Sequence, residues 1–142
     1  MKSSAARYEE IEHTADVGYR LYAPTLEELF IIAGRALFAT ITDLESVQSR
    51  KSAEIIATAN DREELLVAWL SELNYRCITA HELFKDFSIR ALTSTEISAV
   101  AHGEAIDPSR HVIHTEIKAV TYHELYIRES SAGWEAQIIF DV

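Results

Sequence analysis

The chain has 142 residues and a mass of 16.0 kDa, with 48% hydrophobic and 25% charged residues and 23 acidic against 13 basic side chains, a formal net charge of −10. A length of this order fits one domain, residues 1–142, that can bury a core without a metal or a disulfide to hold it. The charge argues against strong direct binding of nucleic acid, which needs clustered Lys and Arg to displace counterions from phosphates; the nearest thing to a basic run is the pair Arg50-Lys51.

In chain order, Tyr8–His13 and Tyr19–Ala23 have strand character and flank the segment HTADVG at 13–18, which this pattern places at a turn. Thr25-Leu26-Glu27-Glu28 is a capping box, and behind it Leu26, Leu29, Phe30, Ala33 and Leu37 follow helical spacing on one face. Ala53–Ala59 is a third strand. A second helix opens at Asn60 or Asp61, carries Leu65, Leu66, Trp69, Leu73 and Cys77 as its apolar stripe, and ends near Ala80. Trp69 belongs to that stripe but could also border a partner surface. Strands follow over Asp86–Leu92, Glu96–Gly103, Glu116–Ile127 and Trp134–Val142, with a turn at Asp107-Pro108 and a hairpin loop at Ser130–Gly133. The expected fold is therefore α+β: two helices packed on a largely antiparallel mixed sheet, in the order β-β-α-β-α-β-β-β-β.

The single cysteine, Cys77, can form no internal bridge, which fits a reducing cytoplasm. No apolar run reaches the ~20 residues of a membrane span, and the polar start Met1–Arg7 lacks a signal-peptide core. A soluble, cytoplasmic protein is the expectation.

Three places could carry chemistry. Asp16 lies in the HTADVG turn beside His13 and Gly18, where it either caps backbone amides or serves as a ligand. Asp141 ends a strand that alternates Trp134, Ala136, Ile138, Phe140 with Glu135, Gln137, Ile139, Asp141, and Val142 beside it would add a terminal carboxylate. Such an oxygen set suits a hard divalent cation, although a solvated strand end is the plainer reading. In Glu116–His123, alternation puts Lys118 and His123 on opposite faces, so one of the two should be partly shielded. Lys118 would then be an ion-pairing or phosphate-contacting group, or else an edge lysine that discourages aggregation. His111-x-x-His114 is a weak zinc signal without a third ligand. The phosphate-loop, GxGxxG, HExxH and GxSxG motifs are all absent.

HTADVG at 13–18, EIKAVTYH at 116–123 and the final IFDV at 139–142, together with TLEELF at 25–30 and EELLVAWLSELNY at 63–75, resemble the archease family along nearly the whole chain. The resemblance implies a divalent metal ion (calcium, magnesium or manganese) held by Asp16, Asp141 and Val142. It implies no catalysis by the chain itself. Instead it implies activation of a GTP-dependent tRNA-splicing RNA ligase, by promoting guanylylation of the ligase and its multiple turnover. Lys118 falls on a position tied to that activation, and His13 and His123 lie in the same motifs. Two rivals stay open at this stage. One is a metal-assisted phosphoester hydrolase with His13 or His123 as base; the other is a general chaperone or adaptor for RNA-processing proteins.

Overall fold

Two capped helices divide the chain. In the computed structural model, which describes residues 6–11 and 16–142, helix α1 runs Leu26–Ile41 and the Thr25 hydroxyl accepts the Glu28 amide at 3.2 Å. Helix α2 runs Arg62–Ala80; Asp61 accepts the Glu64 amide at 2.8 Å, while the Glu64 carboxylate accepts the Asn60 amide at 2.9 Å. These bonds satisfy donors that a helix start otherwise leaves unpaired. His81 stops α2 in a left-handed conformation, φ 56° and ψ 48°, and its amide reaches the Cys77 carbonyl.

The strands are β1 (Arg7–Ile11), β2 (Asp16–Ala23), β3 (Lys51–Thr58), β4 (Glu82–Leu92), β5 (Glu96–Ala105), β6 (Ala119–Val120), β7 (Tyr126–Ser130) and β8 (Gly133–Asp141), with a short 3-10 turn at Leu44–Ser46. They form two sheets rather than one. The first has the order β1-β2-β8-β6, with β7 also on β8, and the second has the order β3-β5-β4. Each pairing between these strands is antiparallel. Both helices and both sheets contribute to one continuous core. Trp69 is wholly buried there, its indole N–H donating to the Phe30 carbonyl at 2.9 Å, so it borders no outer surface. The α+β class and the order of elements agree with the sequence reading.

Three local expectations need correction. Glu116–Ile127 is not one strand: only Ala119–Val120 and Tyr126–Ile127 pair, and an exposed loop separates them. Ile117 and Val120 are both buried, which breaks the two-residue alternation, so Lys118 and His123 are both exposed and neither is shielded. The HTADVG segment is not all turn, because Asp16, Val17 and Gly18 already belong to β2; its His13 lies outside the described residues.

Candidate metal centre at the end of the first sheet

β2 and β8 run side by side with Asp16 directly opposite Asp141. Residues opposed in an antiparallel pair project to the same face, with Cβ atoms about 4.5–5.5 Å apart. The core face of this pair carries Tyr19, Leu21, Ala136, Ile138 and Phe140, all buried. The other face carries Asp16, Gly18, Arg20 and Tyr22 from β2 and Asp141, Ile139, Gln137 and Glu135 from β8. The two aspartates therefore end a polar sheet face, and both are half-buried.

Gly18 does not serve a strained turn. A side chain there would press on Ile11, whose Cγ1 lies 2.9 Å from where a Cβ would stand, and would touch Ile139. Its absence lets Ile11 and Ile139 close over the strands two residues from the aspartates. Farther along the same face Arg20 donates to Gln137 at 3.2 Å, and Gln137 donates to the Glu124 carbonyl at 3.1 Å. The Tyr126 hydroxyl donates to Glu135 at 2.5 Å; burial, with that carboxylate, pushes the phenol up to about 12.

β6 brings the third motif to the same corner. Ala119 pairs with Asp141, and the Lys118 amide donates to the Asp141 carbonyl at 2.7 Å. Lys118 is thus fixed by its backbone while its side chain is exposed. Thr121 donates both its amide and its hydroxyl to the Ile139 carbonyl at 3.0 Å, anchoring the loop that presents Tyr122 and His123. Asp16, Asp141, Val142 and Lys118 are therefore neighbours, and His123 follows in the adjoining loop.

Two opposed carboxylates are the oxygen ligands a hard divalent cation takes, so the donor set fits one. Among the described residues no group of three His, Cys, Asp or Glu side chains converges, so within them Val142, backbone carbonyls or water would complete the set. The histidine pair has a different use. His111 accepts the Asp107 amide on Nδ1 at 2.8 Å, so its proton sits on Nε2, 3.0 Å from Glu104. His114 is exposed and pairs with Asp43 at 2.9 Å. With both His111 nitrogens engaged, the pair forms no zinc site.

Residues 8–142 match the Archease protein family (MTH1598/TM1083). The chain belongs to the archease family. It is 43% identical over 138 residues to an archease of Methanopyrus kandleri, covering 95% of this chain and 99% of that one. It is 40% identical to an archease of Methanosarcina mazei across the full length of both. Among solved structures, protein 1598 of Methanobacterium thermoautotrophicum superposes with a TM-score of 0.77 at 32% identity, covering 95% of this chain and 98% of that one. An archease of Thermotoga maritima, described as a possible chaperone, shares the fold with a TM-score of 0.60 at 21% identity, covering 94% and 96%.

Two buried carboxylates escaped the sequence reading. Glu104 and Glu82 lie at the same end of the second sheet, where each holds basic partners. Glu104 meets Arg110, His111, Arg50 and the Gln48 amide; Glu82 meets Lys51 at 2.8 Å and Arg76 at 3.0 Å. The pair Arg50-Lys51 is thus committed to internal carboxylates. The available signal was a glutamate set beside apolar or small residues, ELF at 82–84 and GEA at 103–105.

Proposed function

We propose that this protein activates a GTP-dependent RNA-splicing ligase, the type that joins a 2′,3′-cyclic or 3′-phosphate end to a 5′-hydroxyl. It promotes the ligase's guanylylation and its return to further turnovers. The observation that carries this reading is the opposition of Asp16 and Asp141 across β2 and β8, with Lys118 tied to the Asp141 backbone. Residues from three family motifs far apart in sequence meet at one end of the first sheet.

In this reading Asp16 and Asp141 hold a divalent cation, and Val142 adds a carboxylate where the chain ends there. When bound, the ion supplies positive charge that can be shared with phosphate oxygens. Lys118, exposed and tied through its backbone to Asp141, contacts a phosphate or an acidic group of the partner. His123 lies in the adjoining loop and contributes to the same contact, and His13 is assigned there from its motif. The net charge of −10 favours approach to a positively charged RNA channel and disfavours independent RNA binding. No helix among the described residues is long and apolar enough to cross a membrane.

The test is RNA ligation by the cognate ligase under multiple-turnover conditions, with and without this protein. Stimulated turnover is expected. Equal turnover in both arms rejects the reading, and phosphoester hydrolysis by this protein alone replaces it with an enzymatic one.

A further inference from the structure

β6 and β7 lie on the same side of β8, because β2 pairs with β8 along its other side. Together they make one edge strand that is interrupted. Val120 pairs with Phe140 and Tyr126 with Gln137, so the five residues 121–125 pass only two residues of β8, Ile138 and Ile139. An ordinary bulge sets two residues against one. This excursion is larger, and it turns Tyr122, His123 and Glu124 outward, leaving 62% of Tyr122 in water.

Side chains staple the excursion at both ends. At its start the Thr121 hydroxyl donates to the Ile139 carbonyl at 3.0 Å, beside the Thr121 amide on the same oxygen, and accepts the His123 amide at 3.2 Å. At its far side the buried Gln137 donates to the Glu124 carbonyl at 3.1 Å and is itself held by Arg20 at 3.2 Å. In between, the Leu125 amide closes a turn onto the Tyr122 carbonyl at 3.4 Å. Glu124 takes a φ of 51°, in the left-handed region that residues other than glycine seldom enter. Such a conformation persists only where its surroundings impose it, and it collects at binding sites. What these bonds fix is the place of two exposed rings, next along β8 from Asp141.

We propose that Tyr122 is the aromatic anchor by which this protein grips the ligase, and that Thr121 is the positioning residue that holds it ready. Tyrosine suits the part: it offers a large apolar ring with a polar tip, and only two side-chain torsions need fixing. Its counterpart is an apolar pocket on the ligase with a hydrogen-bond partner for the phenol. A loop fixed before the encounter also loses less freedom on binding. Thr121 acts through Tyr122 and not by a contact of its own. The assignment rests on the proposed function, since the partner is the ligase named there.

The test is multiple-turnover ligation by the cognate ligase at rising concentrations of this protein, with a melting curve for each variant. Tyr122→Ala should raise the concentration for half-maximal stimulation about tenfold or more, as loss of an aromatic anchor does. Thr121→Val keeps the shape and removes the hydroxyl; it should raise that concentration about as far, and Thr121→Ser should restore the wild-type value. The double variant Thr121→Val, Tyr122→Ala should be no worse than Tyr122→Ala alone, because both act through one contact. Thr42→Val removes a comparable bond, from the Thr42 hydroxyl to the Val112 carbonyl at 2.7 Å, and should lower the melting temperature without moving the half-maximal concentration. Hydrogen exchange of the His123 amide should quicken in Thr121→Val and not in Thr121→Ser. Wild-type behaviour of Thr121→Val overturns the positioning role, as does a loss that Thr121→Ser fails to rescue or that Thr42→Val matches. A stimulating wild type with an equally effective Tyr122→Ala defeats the anchor alone. No stimulation by the wild type defeats the proposed function, and the anchor falls with it. Tyr122→Ala alters an exposed side chain, so its outcome decides even where a Thr121 variant fails to fold.

Discussion

Glu104 is almost out of water yet ionised. The Arg110 hydrogen bonds do most to hold its carboxyl down at about 2; burial opposes them, and the Gln48 amide and His111 add support. Because the folded value lies below the ordinary 4.5, the folded state holds the proton less well than the unfolded chain. The stability from this group is therefore complete above pH 4.5 and is lost as pH falls from there towards 2. Glu104→Gln should flatten the fall in melting temperature across that window. At pH 7 it should cost on the order of 2 kcal/mol, because charge-assisted bonds to Arg110 are weakened. Equal acid sensitivity in both proteins would contradict this account. Glu82 behaves similarly: burial opposes its ionisation, but Lys51 and Arg76 outweigh that and keep it below the usual range. Lys118 is the opposite kind of residue. With its side chain exposed, Lys118→Ala should change stability by less than ~0.5 kcal/mol while reducing ligase stimulation, as melting and turnover measured together will show. At this scale the motifs made Asp16, Asp141 and Lys118 legible. The partners of the buried glutamates were not, because those contacts join residues up to 56 positions apart, as between Gln48 and Glu104.

The start of α1 and both ends of α2 could be read almost to the residue, because capping and apolar spacing are local signals. The strands were harder wherever pairing, not pattern, decides them. Ile117 and Val120 are both buried because the chain crosses the end of β8 irregularly, with the Lys118 and Thr121 amides bonded to Asp141 and Ile139. A strict alternation could not anticipate that, and it predicted one long strand. The second sheet hides a similar irregularity. β4 shifts register between Phe84 and Asp86, where the Lys85 carbonyl and the Asp86 carboxylate both accept from Arg35 of α1. Gly103 on β5 pairs with Phe84 at that point, and a methyl group there would collide with the Leu83 carbonyl oxygen. Since backbone must move to admit it, Gly103→Ala should destabilise the protein by about 3 kcal/mol. Chemical denaturation would report this as a lower midpoint, and an unchanged midpoint would show that the bulge yields freely.

Across the whole molecule the fold brings chain segments separated by more than a hundred residues to one corner, where Asp16 meets Asp141. The sequence named the participants, but it could not show their register, since a one-residue slip in β8 would turn Asp141 to the other face. The role assigned to the chain end has its own test. In a chain that ends at Val142, an extension beyond it replaces an anionic carboxylate by an amide, and calorimetry should then show weaker binding of calcium or manganese. Unchanged affinity would remove Val142 from the ligand set. The central claim is that the Asp16–Asp141 pair serves activation and not folding. The most direct measurement is multiple-turnover ligation by the cognate ligase with the Asp16→Ala, Asp141→Ala double variant, alongside its melting curve. The account predicts a melting temperature close to that of the wild type, within about 1 kcal/mol of stability, and no stimulation of the ligase. Full stimulation by the folded double variant would contradict it.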